Sequence, residues 1–170
     1  PRSSPVSRST ALIPEAVECA RGADLAVVCV GDLAGLFQTG TVGEGSDTDS
    51  LDLPGVQQAL LQAVVATGRP VVVVLSGGRP YGLGGLEDRV AALLWAPCGG
   101  EAGGTALAEV LTGAVEPSGR LPVSFPHSAG ALPYTYDRMG GSLYSRLRRI
   151  VGGVAVELDF RRYLGEQGVP

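Results

Sequence analysis

Three unbroken apolar runs punctuate the chain: LAVVCV at 25–30, PVVVVLSGG at 70–78 and AALLWA at 91–96. Hydrophobicity that is continuous rather than alternating marks strands covered on both faces, so three buried strands are predicted. Around them the apolar residues switch to a helical period. PEAVECARGA places Pro14 at a helix start, two glutamates in its first turns and Gly22 as a stop. Pro54 opens PGVQQALLQAVVATG, in which Val56, Leu60, Leu61, Val64 and Val65 fall on one helical face and Gly68 ends the run. GEAGGTALAEVLTG reads as a third helix ending at Gly113, although each of its two internal glycines costs about 1 kcal/mol against alanine. The short polar piece LEDRV leads into the third strand, and LPVSF at 121–125 reads as a final one.

Strand and helix in alternation, with unbroken apolar strands, mean parallel pairing. The expected fold class is α/β: a doubly wound, three-layer sandwich with a mostly parallel sheet flanked by helices on both faces. In such sheets the loops leaving the carboxyl ends of the strands share one edge, and ligands bind there. Three loops qualify: GDLAGLFQTGTVGEGSDTDS, SGGRPYGLGG and PCGG. The first far exceeds the ordinary connection of about 4–6 residues, and structureless loops of that length are usually functional or disordered.

Composition narrows the function. A length of 170 residues is that of one ordinary domain, and 45% hydrophobic with 18% charged residues is a globular composition. A net charge of -4 and a pI near 5.0 argue against nucleic acid or an anionic membrane as partner, since both call for a basic patch. All 13 basic residues are arginine, a compositional bias from which no site is drawn. Cys19, Cys29 and Cys98 lack CxxC spacing, so neither a disulfide framework nor a zinc site is suggested, and Cys29 within LAVVCV reads as a small core residue. No apolar run approaches a membrane span of about 18 residues, and no charged-then-apolar start marks a signal peptide. Residues 1–13, rich in Ser, Arg and Pro, read as the end of a linker, and a first residue of proline suggests a piece of a longer protein.

The stretch TVGEGSDTDSLDLPG, Thr41 to Gly55, concentrates four carboxylates on the long loop and sets Glu44 between two glycines. With no Cβ on either side, a substrate can approach that carboxylate closely. A glutamate in a partly dehydrated cleft holds its proton to higher pH and serves as a general acid. The residues equally fit a solvated acidic turn, with Asp49 and Asp52 favoured by the positive end of the helix that Pro54 opens.

Other constellations lead elsewhere. His127 is the only histidine and there is no G-x-S-x-G elbow, so it reads as structural or surface rather than as part of a Ser/His/Asp hydrolase. One histidine and scattered cysteines give no metal site, and no cofactor is expected. The glycine loops match neither G-x-G-x-x-G opening a helix nor a P-loop, the chain having no lysine. Tyr81 and Trp95 have the shape to stack on a sugar, but Trp95 ends an apolar strand and reads as core. Arg79, in the second loop, is a candidate for a domain interface or a sugar hydroxyl.

Four blocks in order, GLFQTGTVGEGSDTDSLDLPGVQQALLQAV, PVVVVLSGGRPYGL, GGEAGGTALAEVLTG and EPSGRLPVSFP, resemble the C-terminal α/β sandwich domain of glycoside hydrolase family 3, the β-glucosidases and β-xylosidases, over residues 14–136. The resemblance implies an exo-acting retaining glycosidase in which an N-terminal TIM-like barrel carries an aspartate nucleophile and binds the carbohydrate substrate. The sandwich lends the general acid/base from a Gly-Glu-Gly-x-Asp loop, here Gly43-Glu44-Gly45-Ser46-Asp47, so Glu44 takes that role by resemblance. Asp47 is then a loop-fixing acceptor or a substrate contact. A retaining mechanism needs two carboxyl groups about 5–5.5 Å apart, and Glu44 would be one of them.

The sequence departs from the family in two places. Where the pattern commonly continues Asp-Arg, this chain has Asp47-Thr48-Asp49. After LPYTYD the family usually continues into a glycine- and aromatic-rich segment, but here 137–170 form an atypical tail. In it Arg146, Arg148 and Arg149 sit beside an apolar run that reads as a helix and strand of different origin or a frameshifted end, without assigned function. The nucleophile would lie on the barrel, outside these 170 residues. The alternative to the enzyme reading is a degenerate, non-catalytic sandwich module that binds carbohydrate or its barrel. Neither the sugar nor the cellular location follows from the sequence.

Overall fold

A computed structural model of the chain describes residues 6–37, 39–126, 129–131, 147–151 and 154–158. His127 and Arg146 fall outside these residues. The chain divides into two compact units, Pro1–Leu121 and Pro122–Pro170.

Among its described residues the first unit holds three strands, β1 (Ala26–Gly31), β2 (Val71–Ser76) and β3 (Ala92–Trp95), paired in parallel in the order β1-β2-β3. With them go α1 (Ile13–Arg21), α2 (Gln57–Val65) and α3 (Gly103–Leu111), an α/β sandwich in which α1 packs on α2 and α2 on β1. Each element falls where the apolar pattern predicts it. Pro14 stands in the first turn of α1, where its missing N–H costs nothing. Gly68 (φ 75°) and Gly113 (φ 76°) follow α2 and α3 in the left-handed conformation of a helix stop, while Gly22 ends α1 in the right-handed one. The crossover from β2 to β3 carries only a single 3₁₀ turn, Glu87–Arg89, within the polar connection LEDRV.

Leu61, Val73, Leu75 and Leu83 are completely buried and centre the core on β2. Each such side chain contributes on the order of 2 kcal/mol of transfer free energy. Leu53, Tyr81, Leu83 and Leu86 join that core from the two long connections, so the loops at the carboxyl edge are packed into the domain.

Expectations about the strands are corrected. β3, expected to be buried on both faces, buries none of its residues: Ala92 and Leu93 are exposed and Leu94 and Trp95 half-buried. Strand β1 is buried on one face only: Val28 and Val30 point into the core, while Val27 is 46% exposed and Cys29 is exposed. As an edge of a three-stranded sheet, β1 lacks the second neighbour that covers β2, so its apolar run does not make Cys29 a core residue. LPVSF forms no strand; Pro122 has no N–H to donate to a ladder.

In the second unit a 3₁₀ turn, Ala129–Ala131, precedes an antiparallel pair, β4 (Leu147–Val151) and β5 (Val154–Leu158). Arg148 and Arg149 lie on β4, so this stretch of the tail is a hairpin rather than a helix and strand.

Candidate functional site

The long connection leaving β1 folds into a compact loop built on its own backbone. Thr41 N–H donates to the Leu33 carbonyl (2.7 Å), Gly35 N–H to Val42 (3.0 Å) and Phe37 N–H to Glu44 (2.9 Å). A tight turn follows, closed by Ser46 N–H on the Gly43 carbonyl at 3.0 Å, with Glu44 and Gly45 as its central residues. Gly45 has φ 75°, the left-handed value that the third position of such a turn demands, which is why glycine follows Glu44. Glu44 therefore stands at the tip of a turn, its carboxylate exposed and, among the described residues, in no hydrogen bond or ion pair. Beside it Phe37 is 67% exposed and holds φ 50°, an uncommon conformation for an aromatic residue.

Side chains from neighbouring segments fasten this loop. Asp32, the first residue beyond β1, accepts from the Thr41 hydroxyl (2.8 Å) and from the Tyr81 hydroxyl on one oxygen, and from Gly78 N–H (3.1 Å) on the other. Thr41 Oγ1 in turn accepts from Leu33 N–H at 2.9 Å. Arg79 Nη2 donates to the Ser46 carbonyl at 2.9 Å, and its guanidinium lies 5.9 Å from the Tyr81 ring centroid. Gln57 at the start of α2 clamps both backbone groups of Gly31, accepting from its N–H (2.6 Å) and donating to its carbonyl (2.8 Å). Gln58 donates to the Leu83 carbonyl at 2.7 Å.

Tyr81 is only 3% exposed, with its ring under Arg79 and its hydroxyl on Asp32, so it belongs to the framework rather than offering a free stacking surface. Burial, followed by the Asp32 hydrogen bond and the Asp32 charge, pushes its pKa well above the ordinary tyrosine value, and the hydroxyl stays a donor. Trp95, at the end of β3, is half-buried.

An open cleft of about 340 Å³ lies beside the turn, lined by Thr41, Gly45, Ser46, Asp47, Asp52 and Arg79 among others. Glu44 is not in the lining, but it immediately precedes Gly45, which is. Asp47 is exposed in the lining and its carboxylate makes no hydrogen bond among the described residues; the anchoring of the loop runs through Asp32 and Arg79. Sequence reasoning does not single out Asp32, Gln57 or Gln58. The available signal is their position: a carboxylate directly after a buried strand and paired glutamines at a helix start, both facing strand-end loops. Among the described residues no group of His, Cys, Asp and Glu is arranged to hold a metal.

The family model of the glycosyl hydrolase family 3 C-terminal domain matches residues 6–159. The chain is 41% identical to a beta-xylosidase of Formosa agariphila over 123 residues, 72% of this chain and 16% of that protein. To a periplasmic beta-glucosidase of Salmonella typhimurium it is 40% identical over 129 residues, 76% of this chain and again 16% of the relative. Among solved structures, a beta-glucosidase from Erythrobacter marinus superposes with a TM-score of 0.67 at 34% identity, covering 86% of this chain and 19% of the other. The chain thus spans about a sixth of the length of the curated relatives it matches. With the family model matched over most of its length and relatives near 40% identical, the chain belongs to the glycosyl hydrolase family 3 C-terminal domain family.

Proposed function

We propose that this domain belongs to a retaining, exo-acting β-glycosidase for β-glucosides or β-xylosides, and that Glu44 is its general acid/base. The observation that carries the reading is the presentation of Glu44: an exposed carboxylate at the tip of a turn, at the carboxyl edge of a parallel sheet, on a loop fastened by side chains from neighbouring segments. A partner N-terminal TIM-like barrel supplies the nucleophile and most of the sugar pocket. Its carboxylate attacks the anomeric carbon while Glu44 protonates the departing oxygen. Glu44, now a carboxylate, then takes a proton from the water that hydrolyses the glycosyl-enzyme. Asp47 and Arg79, both in the cleft wall, are the substrate-side and loop-fixing residues. A second reading, a non-catalytic module that binds carbohydrate or its barrel, draws on the exposed Leu33, Leu36 and Phe37 beside the turn.

The test is hydrolysis of aryl β-glucosides and β-xylosides by the chain assembled with the barrel of a family 3 relative, beside Glu44→Gln and Glu44→Ala. Turnover that falls at least about 10²-fold in Glu44→Gln, with azide restoring rate to Glu44→Ala, supports the acid/base role. A folded assembly in which Glu44→Gln is as active as the parent overturns it, and a folded assembly without turnover favours the binding module.

A further inference from the structure

The Asp32 carboxylate is used on both oxygens, and its three donors come from different places: Thr41 from the long loop, Tyr81 and Gly78 from the connection after β2. Gly77 is shaped for this contact. A Cβ there would lie 2.5 Å from Asp32 Oδ2, so any larger residue would have to displace the carboxylate from its donors. A surface aspartate that merely solvated a strand end would not draw in the hydroxyl of a tyrosine buried to 3% exposure.

These bonds close a ring. From Asp32 the path runs through Thr41 along the chain to the turn Gly43–Ser46, crosses from the Ser46 carbonyl to Arg79, and returns through the Tyr81 hydroxyl to Asp32. The Glu44 turn lies inside that ring. We propose that Asp32 is the positioning residue of Glu44, locking the loop to the connection after β2 so that the carboxyl is presented in a single orientation; the inference rests on the acid/base reading of Glu44. Asp32 acts through the loop backbone and takes no part in proton transfer. A misplacement of about 1 Å at a reacting group costs up to about 10²-fold in rate, which sets the scale of the expected effect.

The experiment has two readouts on Asp32→Asn, with Thr41→Val as a milder variant that deletes one donor and keeps the carboxylate. In the full chain, amide hydrogen exchange at Gly35, Phe37, Thr41 and Ser46 is expected to accelerate while that of the β2 amides is unchanged. In the assembly with a barrel, the variant is expected to lose about 10- to 10²-fold in kcat on substrates with poor leaving groups, which need the acid, with KM near the parent value and little loss on activated aryl glycosides. In a Glu44→Ala background the Asp32→Asn effect should vanish, since residues acting as a unit are not additive. Thr41→Val is expected to shift the same readouts in the same direction by less. Unchanged loop exchange in both variants, or equal losses on good and poor leaving groups, overturns the positioning role. If Glu44→Gln alone keeps full activity on poor leaving groups, the acid/base reading falls and this inference with it. If Glu44→Gln loses that activity while both Asp32→Asn and Thr41→Val keep the parental profile, the inference falls alone.

Discussion

Two segments leave the same edge of the same sheet and are held in opposite ways. The connection after β1 ends in an exposed carboxylate, yet it is tied down by hydrogen bonds from Asp32, Thr41, Arg79 and Gln57 and sends Leu53 into the core. The segment after β3 leads into α3, which has no buried residue; Leu107 and Val110 are half-covered and Leu111 is 38% exposed. Its last turn is finished by Thr112, whose hydroxyl bonds to the Ala108 carbonyl at 2.8 Å. The connection after β1 is therefore held both by buried apolar residues and by polar side chains that capture backbone groups, whereas α3 is held by neither to the same degree. The more hydrophobic of the two segments is the less buried.

The sharpest way to break this contrast is Gly77→Ala. Its Cβ would meet Asp32 Oδ2 at 2.5 Å, and moving the carboxylate disturbs three hydrogen bonds at once. A loss of about 1–3 kcal/mol in chemical denaturation is expected, with the loop loosened before β2.

Tyr81→Phe comes next. It leaves Asp32 short of one donor and costs about 1 kcal/mol at neutral pH. The pH dependence has a definite sign. The pKa of Tyr81 is raised in the folded state, so its contribution is full below the ordinary tyrosine value near 10 and is lost as pH rises beyond it. Denaturation curves across that alkaline window should show the parent losing more stability than the Phe variant; parallel profiles would mean the hydroxyl is not held neutral by this burial.

The smallest effect belongs to α3. Leu107→Gln should change stability of the chain by under about 0.5–1 kcal/mol, because the site is only partly covered. A larger loss would show that α3 is packed more tightly than its exposure indicates.

The positions of β1–β3 and α1–α3 were legible because their signal is local: continuous apolar runs, a 3.6-residue period, and Pro and Gly at the ends; LPVSF carried a similar apolar signal and forms no strand. What β1 buries was not legible, since Val27 and Cys29 read like Val72 and Val74 and differ only in lying on an edge strand. The Gly-Glu-Gly motif was legible through its resemblance to the family loop, but the left-handed turn that requires Gly45 was not, because a bare glycine does not specify its φ. Asp32 was not, because its partners Thr41, Gly78 and Tyr81 stand 9, 46 and 49 residues away and no periodicity links them.

The closed ring through Asp32, the Ser46 carbonyl, Arg79 and Tyr81 has a consequence for the exchange of segments between relatives. The Glu44 loop is not a free-standing cassette: moving residues 33–46 alone would leave the donors on the connection after β2 facing a foreign loop. The smallest transferable unit joins two segments, 31–46 and 76–81, and length changes in either are tolerated only where the other shifts to match. In such a domain the two loops should vary as a pair, with the strands beneath them as the fixed chassis.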